Sequence, residues 1–557
     1  MPTPFGEAEG HTVVDGQRES VTDPAQSETP GMSGNSMREN RETPLVSGSS
    51  RPDRLEKATS YTTSMHASGE SDEQVVPAKR SNNGERSSAE SVEGSCSTKG
   101  NTEEAHTCRT QGREHVSQGL GGVREAARRD KKQKFTALLH HVTTGLLRDS
   151  YYSLKRKAAP GVDGVTWEQY GEGLEGRFKD LHDRVHRGAY RAQPSRRAYI
   201  PKDDGRQQRP LGIAALEDKI VQQAVVTVLN EIYEEDFLGF SYGFRPGRRP
   251  HDALDALWVG LKRRRVNWVL DLDVRGFFDN VSHEWLMQFV EHRIADRRIL
   301  RLIQKWLKAG VSEEGEWTET KVGTPQGAVV SPLLANIYLH YVFDLWVNQW
   351  RRKWAQGDMI VVRYADDAVL GFEHRKEAEA FLEQLRERMR KFGLELHSEK
   401  TRLIEFGRFA EEDRERRGAG KPETFDFLGF THSCGKTWKG NWFTIRRQTA
   451  KKRLRSKLQA VRQELRKRWH KRVVENGEWL RSVVQGYFNY HAVPGNFAAL
   501  RTFQREVARM WLAALRRRSQ RDRHSWERFR PIVNRYLPTP RILHPLPGVR
   551  FDAMHPR

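Results

Sequence analysis

The chain has few cysteines and no long apolar run. Its 557 residues include only Cys96, Cys108 and Cys434, too few and too scattered for a disulfide framework or a paired-cysteine zinc module. It has no run of about 18 apolar residues, and its first ten residues resemble neither a signal nor a transit peptide. These absences predict a soluble protein of a reducing cytoplasm with no membrane partner.

The first 130 residues are poor in aromatic side chains. They contain only Phe5 and Tyr61 among many serines, glycines, glutamates and arginines. Such a segment cannot bury enough apolar surface to offset the entropy of the chain. We therefore predict that residues 1–130 are a disordered low-complexity extension, to which we assign no role. It could also be untranslated, because later start residues follow at Met32, Met37 and Met65.

Positive charge is abundant and concentrated. The chain carries 95 lysines and arginines against 73 acids, a formal net charge of +22. Residues 446–530 alone hold 24 basic and six acidic residues, a net +18. A surplus of this size favours a polyanionic partner, and nucleic acid is the first expectation.

The apolar pattern divides the folded part of the chain. Between 199 and 430, short strand-like runs alternate with longer helical patterns, which is typical of an α/β fold. We predict an α/β body at 131–440, a basic helical module at 441–535 and an irregular proline-rich tail at 536–557.

The basic module should begin with an amphipathic helix. Its apolar residues recur every three or four positions and are expected to pack inward: Leu454, Leu458, Val461, Leu465 and Trp469. Five cations occupy the remaining surface, where they could bind phosphates: Lys451, Lys452, Arg455, Arg462 and Arg466. A generic solvated surface is the alternative, which the concentration of charge disfavours.

Two adjacent acids, Asp366 and Asp367, stand where two short apolar runs meet in residues 361–371. This pattern predicts a β-hairpin with two carboxylates at its tip. Adjacent like charges are costly unless a strong positive charge, usually a divalent metal, lies near them. The stretch therefore indicates a metal site for phosphate chemistry, with an ordinary surface turn as the alternative.

A second acidic stretch, residues 268–279, precedes the first by about 90 residues and is predicted to be a strand. Its alternation puts Asp271, Asp273 and Arg275 on one face. Two-metal phosphoryl transfer needs carboxylates from separate elements to hold ions about 3.5–4 Å apart. Asp273 could complete such a set with the two acids of the hairpin, whereas Asp279 could equally be an exposed charge.

Eight blocks in a fixed order resemble those of reverse transcriptases, and more narrowly of the reverse transcriptase/maturase proteins encoded by group II introns. Together they cover roughly residues 137–535. Tyr364-Ala-Asp-Asp367 resembles the palm signature. The other blocks are Gly161-Val-Asp-Gly-Val-Thr166, Tyr199 to Ile213, Ser241-Tyr-Gly-Phe-Arg-Pro-Gly247, Asp273 to Asp279, Gly323-Thr-Pro-Gln-Gly-Ala-Val-Val-Ser-Pro332, Gly393 to Thr401 and Phe425-Asp-Phe-Leu-Gly-Phe430.

The resemblance implies a right-hand polymerase with α/β (α+β) fingers and palm, followed by a helical thumb and maturase domain. It implies an RNA-directed DNA polymerase that also assists splicing of its own intron RNA. Asp273, Asp366 and Asp367, with the backbone of Val274, would hold two Mg²⁺ ions, for which Mn²⁺ could substitute.

The same resemblance implies residues that bind the nucleotide. Lys202 and Arg209 would grip the incoming triphosphate, or else be solvated cations. Phe278 would crowd a 2′-hydroxyl and so select deoxynucleotides, or else be a core aromatic. Gln326 would lie near the nucleotide and the templating base, or else belong to a plain Pro/Gly loop.

Further roles are implied for Lys400 and for Phe427, Leu428 and Gly429. Lys400 would protonate the departing pyrophosphate, although a surface lysine is an equal alternative. The other three would form the turn that holds the primer terminus, or a plain hydrophobic turn. The cations of the basic helix would bind structured RNA through its phosphates.

The expected partners are group II intron RNA, an RNA template, a DNA primer or target and deoxynucleoside triphosphates, in a bacterial cytoplasmic ribonucleoprotein. Because no cysteine follows Cys434, the metal-binding endonuclease domain of some relatives is expected to be absent, with priming from existing DNA ends. The rivals are a splicing-only maturase with an inactive polymerase, a reverse transcriptase of a retron or diversity-generating system and, least favoured, an RNA-dependent RNA polymerase.

Overall fold

The structure is a computed structural model that describes seven stretches of the chain. They are residues 109–201, 208–313, 315–320, 322–324, 326–437, 440–518 and 525–555, with side chains from 119 onward except that of Pro201. Most of the predicted N-terminal extension, together with Lys202, Cys96 and Cys108, lies outside these residues. Among the described helices, none combines the length and the apolar character needed to cross a bilayer.

The prediction of disorder through residue 130 is wrong at its end. The first helix, α1 (Arg109–Arg129), buries Leu120, Val123 and Ala127 on one face, and it packs against α5 (Leu216–Asp236). Three apolar residues at helical spacing are enough once a long partner helix covers them. In the sequence, α1 and α5 are separated by α2 (Thr144–Ser153), α3 (Trp167–Tyr170) and α4 (Leu174–His186).

The first sheet has the order β2-β1-β4-β5. Strands β1 and β2 are antiparallel, whereas β1 and β4 are parallel. The strands are β1 (Ser195–Pro201), β2 (Gln208–Ile213), β4 (Val311–Glu313) and β5 (Glu316–Thr318).

The central sheet has the order β6-β7-β3-β8, and all of its neighbours are antiparallel. Its strands are β3 (Trp268–Leu272), β6 (Met359–Tyr364), β7 (Asp367–Phe372) and β8 (Arg402–Glu405). The helices of this region are α6 (Pro250–Arg263), α7 (Phe277–Asn280), α8 (His283–Glu291), α9 (Arg297–Lys308), α10 (Ser331–Leu339), α11 (Leu345–Lys353) and α12 (Arg375–Lys391). A π-helical turn, His340–Asp344, joins α10 to α11.

A small third sheet leads into the C-terminal helices. After α13 (Ala410–Arg416), its strands β9 (Phe425–Phe427), β10 (Phe430–Lys436) and β11 (Phe443–Thr449) are antiparallel. The helices that follow are α14 (Lys451–Lys467), α15 (Val473–His491), α16 (Phe497–Arg516), α17 (Trp526–Tyr536) and α18 (Pro547–Met554). Helices α14 to α17 surround a core of their own that includes Val484, Phe503 and Trp511.

The described residues therefore form a mixed α/β fold with three small sheets and a helical C-terminal region. The proline-rich tail is not irregular throughout, because α18 forms within it. Pro547 occupies the first turn of this helix, where a missing N–H costs nothing. Helix α18 packs against α6, and Arg263 pairs with Asp552 at 2.7 Å.

Candidate polymerase site

The hairpin predicted at residues 361–371 is present. Strands β6 and β7 pair in a register that sets Tyr364 opposite Asp367, which leaves Ala365 and Asp366 as the connecting turn. Ala365 has a φ of +56°, the left-handed region that residues with a side chain rarely adopt. Asp366 thus sits at the tip, and Asp367 begins the returning strand.

Asp273 lies just beyond the neighbouring strand of the same sheet. Strand β3 pairs with β7 so that Leu272 is opposite Ala368, which brings Asp273 next to the hairpin tip. The strand ends at Leu272, so the prediction of one strand through 279 is wrong. Gly276, with a φ of +52°, turns the chain into helix α7. Phe278 and Asp279 therefore lie in a helical turn.

The three carboxylates interact electrostatically. Asp366 is half-buried, and burial followed by the charge of Asp273 raises its pKa. Asp367 is exposed, yet desolvation by the atoms packed around its carboxylate raises its pKa to about 7, with further contributions from Asp366 and Asp273. Burial also raises the pKa of Asp271 to about 6, although Arg402, 3.6 Å away, acts against this. The site is therefore a cluster of acids that repel one another.

Lys400 lies at this cluster. It belongs to the turn before β8, and its Nζ donates a hydrogen bond to Asp273 Oδ2 at 3.1 Å. The lysine side chain is 61% exposed, so the amine stands at the rim of the site and not in the core. The structure thus brings together all four residues predicted to be catalytic.

The donor set fits a hard divalent cation. In this state no three acidic, histidine or cysteine side chains of the described residues surround one point as a ready metal cage, and Asp273 is turned toward Lys400. Carboxylate oxygens are nevertheless the ligands that Mg²⁺ takes, and a cation between these acids would relieve the repulsion that, after burial, raises the pKa values of Asp366 and Asp367. Val274, the predicted backbone ligand, follows in a bridge with Leu396.

The predicted nucleotide-binding residues come from three converging segments. Arg209 on β2 is close enough to Asp366 for its charge to lower the pKa of that carboxyl. The backbone oxygen of Gln326 accepts from the N–H of Gly212 on the same strand at 2.6 Å, and Gln326 Nε2 donates to Asp279 Oδ1 at 3.3 Å. Asp279 is thus exposed but partnered.

Phe278 joins the same convergence. It is half-buried at the edge of the core, and its carbonyl accepts from the N–H of Thr324 at 2.8 Å. Gly323, with a φ of +90°, lies against this helix so closely that a Cβ would be 2.9 Å from the carbonyl oxygens of Phe278 and Asp279. Only glycine fits there, which explains the first residue of the 323–332 block.

The predicted primer turn connects β9 and β10. Leu428 and Gly429 have φ values of +47° and +78°, between the paired residues Phe427 and Phe430. The hydroxyl of Tyr490, on α15, donates to the Leu428 carbonyl at 2.8 Å, and the N–H of Ala450 donates to the Gly429 carbonyl at 3.0 Å. The turn is therefore fixed to the C-terminal helices.

Helix α14 has the predicted amphipathic arrangement. Val461 and Leu465 are buried and Leu454 and Leu458 half-buried, whereas the prediction for Trp469 is wrong. That side chain is 54% exposed because the helix ends at Lys467, so Trp469 leaves the apolar stripe. The predicted RNA-binding cations are all exposed: Lys451, Lys452, Arg455, Arg462 and Arg466.

Comparison with known proteins supports the assignment of this site to a polymerase. Residues 200–432 match the family model described as reverse transcriptase (RNA-dependent DNA polymerase). Protein YkfC of Escherichia coli K12 is 36% identical over 282 residues, 45% of this chain and 74% of that protein. The group II intron-encoded protein LtrA of Lactococcus lactis subsp. cremoris is 34% identical over 274 residues. The chain belongs to the group II intron-encoded reverse transcriptases.

The match to LtrA spans 47% of this reverse transcriptase and 44% of LtrA, so the chain covers less than half of that relative. A plant relative, the mitochondrial nuclear intron maturase 1 of Arabidopsis thaliana, is 29% identical over 92 residues, 16% of this chain and 13% of that protein. The predicted family and the predicted polymerase class are confirmed, and the family generally uses a divalent metal.

The sequence did not reveal two arginines whose charges act on the acid cluster. Arg363, between apolar neighbours in β6, is buried, and its charge lowers the pKa of Asp366. A charged residue inside an apolar strand was the available signal, because such a group must have buried partners. Arg453 of α14 was also missed, although its charge lowers the pKa of Asp367.

Proposed function

We propose that this protein is an RNA-directed DNA polymerase that also binds its own group II intron RNA, assisting splicing and supporting retromobility. The observation that carries the proposal is the meeting of Asp273, at the end of β3, with Asp366 and Asp367 of the β6-β7 hairpin, inside the segment that matches reverse transcriptases. The three sheets would be the fingers, palm and primer-holding parts of a right-hand polymerase, and α14 to α17 its thumb.

The residues divide the work of nucleotide addition. Asp273, Asp366, Asp367 and the Val274 backbone would hold two Mg²⁺ ions, with Mn²⁺ as a substitute, which when bound stabilise the charge that develops during in-line displacement at the α-phosphate. Arg209 would orient the triphosphate, as would Lys202, which lies outside the described residues. Lys400 would deliver a proton to the departing pyrophosphate.

Selection and placement of substrates come from neighbouring residues. The Phe278 ring would limit the space for a 2′-hydroxyl and so favour deoxynucleotides. Gln326, whose carbonyl accepts from Gly212 on β2, would lie near the nucleotide and the templating base. Phe427, Leu428 and Gly429 would present the primer terminus. Their attachment to α15 through Tyr490 supports this role, because the primer end would then move together with the thumb.

The basic helix supports an RNA partner. Lys451, Lys452, Arg455, Arg462 and Arg466 form an exposed cationic face, and structured RNA is bound largely through shape and phosphates. The intron-encoded relatives favour intron RNA over the RNA of a retron or diversity-generating system. Acids at all three positions of the site favour a working polymerase over a splicing-only maturase. The bacterial relatives favour a bacterial ribonucleoprotein.

One experiment tests both halves. The full-length wild type and the Asp366→Ala/Asp367→Ala variant are compared in primer extension on an RNA template and in splicing of the intron RNA. The matched control is Glu411→Ala/Glu412→Ala, another adjacent acidic pair, exposed on α13. We expect the hairpin variant to lose cDNA synthesis and keep splicing, and the control to keep both activities.

The outcomes separate the two activities. Extension by the hairpin variant at the wild-type rate would remove the active-site assignment. Intron splicing that is equally slow with and without the wild-type protein would remove the maturase assignment. Splicing alone, without extension by wild type, would favour the splicing-only alternative.

A further inference from the structure

Arg363 is a buried arginine whose hydrogen bonds lead to the hairpin tip. Its side chain is 1% exposed, and it lies two residues before the turn that carries Asp366. Nε and Nη2 donate to the two carboxylate oxygens of Asp344, at 2.7 and 2.6 Å. Nη1 donates to Asn336 Oδ1 at 3.1 Å and to the carbonyl of Ala365 at 2.9 Å, and Nη2 also donates to Ser241 Oγ at 2.6 Å.

These contacts use every N–H of the guanidinium group, which has five donors in a planar fork. Four of the five go to side chains on other segments, and the fifth goes to the turn itself. Asp344, fully buried, balances the charge. A buried ion pair is costly unless every polar atom is satisfied, so its complete satisfaction here indicates a specific geometric role.

The contact with Ala365 acts on the catalytic turn. The Ala365 carbonyl belongs to the peptide plane that continues into the N–H of Asp366. Because Ala365 has a φ of +56°, its conformation must be held by its surroundings. Arg363 is held by Asp344 and donates to this carbonyl, so it fixes the orientation of the Ala365–Asp366 peptide plane. That orientation sets the direction of the Asp366 side chain.

The block at 241–247 holds the turn from a second side. The N–H of Tyr242 donates to the Arg363 carbonyl at 2.8 Å, and the N–H of Arg363 donates to the Phe240 carbonyl at 2.9 Å, so this segment runs beside β6. At Gly243 a Cβ would clash with the backbone nitrogen of Ala365. Asn336 Nδ2 secures the Gly243 carbonyl at 2.8 Å.

We propose that Arg363 is a positioning residue of the polymerase site, which together with Asp344, Asn336 and Ser241 locks the Ala365–Asp366 peptide and so aims the carboxylates of Asp366 and Asp367. The inference rests on the proposed polymerase function. It also gives the 241–247 block a role, as the support against which the turn is built. Lysine cannot replace this arginine, because a single ammonium cannot satisfy acceptors in five directions.

The test compares Arg363→Lys and Ser241→Ala with Arg293→Lys in the full-length protein. Arg293 is an equally buried arginine, 2% exposed and paired with Asp236 at 2.9 Å, and its hydrogen bonds go to the carbonyls of Asp130 and Ala127 and not to the turn. Single-nucleotide extension is measured against deoxynucleotide and Mg²⁺ concentration. Hydrogen exchange is followed by mass spectrometry in peptides that cover residues 359–370.

For Arg363→Lys we expect kcat to fall at least about tenfold with the deoxynucleotide KM within about twofold, because misplaced catalytic groups slow chemistry more than binding. We also expect a higher Mg²⁺ requirement and faster exchange at the tip. Ser241→Ala should show a smaller change of the same kind, and it decides the matter if Arg363→Lys does not fold. Arg293→Lys should lower the melting temperature while leaving the kcat of the folded protein and the exchange at the tip unchanged.

Two results would overturn the proposal. One is unchanged exchange at the tip in both test variants. The other is faster exchange with a kcat that matches the Arg293→Lys control. Should the wild type extend no primer, the polymerase function fails by itself, and the contrast in exchange alone decides whether Arg363 locks the turn.

Discussion

Asp255 on α6 is a fully buried carboxylate between two arginines. Arg447 Nη1, from β11, donates to Oδ1 at 2.8 Å, and Arg550 Nε, from α18, donates to Oδ2 at 2.5 Å. The three residues join the central sheet's helix, the third sheet and the C-terminal tail. We predict that Asp255→Asn strongly destabilises the protein, although asparagine has almost the same volume and leaves no cavity.

The magnitude follows from what remains buried. Arg447 is 2% exposed, so the substitution leaves a cation without its compensating charge in a region of low dielectric. Removing one partner of a buried ion pair costs about 3–5 kcal/mol. Replacing Asp255 and Arg447 together costs less, because the buried guanidinium is gone and the remaining partner, Arg550, keeps 19% of its side chain exposed to solvent. The double variant Asp255→Asn/Arg447→Met should therefore be more stable than the sum of the two single variants implies, with a coupling of about 2 kcal/mol.

Urea unfolding of the four proteins in this cycle measures the coupling. Arg375–Glu379 is a suitable control pair, because its atoms are also 2.8 Å apart but its side chains are 60% and 50% exposed. Its coupling should be about 0.3–0.5 kcal/mol. If the single variants at Asp255 and Arg447 add to within about 0.5 kcal/mol, the reasoning from burial is refuted.

Three further predictions follow from the described contacts. Tyr490→Phe removes the hydroxyl that donates to the Leu428 carbonyl, a hydrogen bond worth about 0.5–1.5 kcal/mol. The affinity for primer-template, measured in extension assays, should therefore fall by about two- to tenfold. An unchanged affinity would contradict the role of the turn. Lys452→Gln and Arg455→Gln should each weaken RNA binding across sequences and lower the slope of log affinity against log salt by about one, while an unchanged slope would exclude phosphate contact. Burial raises the pKa of Asp218 to about 6, so the folded state binds this proton more tightly than the unfolded state. The resulting stabilisation of the folded state is complete below about pH 4 and is lost as the pH rises through 6. Asp218→Asn should remove this part of the pH dependence of the free energy of unfolding, measured in urea.

Features encoded within one short segment could be predicted from the sequence. The hairpin at 361–371 needs only two apolar runs and a turn, and the buried face of α14 needs only helical spacing. Errors occurred where an element ends. The alternation of residues 268–279 predicts a strand that continues past Leu272, whereas the backbone leaves the sheet there and turns at Gly276 into a helix. Helical spacing likewise predicts that Trp469 belongs to α14, which ends before it.

Contacts between distant segments were beyond such reasoning. Ser241 and Arg363 are 122 residues apart, and Asp273 and Lys400 are 127 apart. Periodicity describes which face of an element is apolar, but it does not show which loop will meet that face. The family resemblance implies a role for Lys400 but none for Arg363, so only the structure shows how the turn is supported.

The acid cluster depends on several separate parts of the fold. Asp366 and Asp367 repel each other and Asp273, and a fold that gathers them must offset that repulsion before any metal binds. The compensating charges come from four separate elements, β2, β6, the turn before β8 and α14: Arg209, Arg363, Lys400 and Arg453. Because each cation belongs to a different part of the structure, a shift of the first sheet or of α14 changes the electrostatic balance at the carboxylates. Any movement of these elements on binding nucleic acid would therefore change the charge environment of the three acids as well as their contacts.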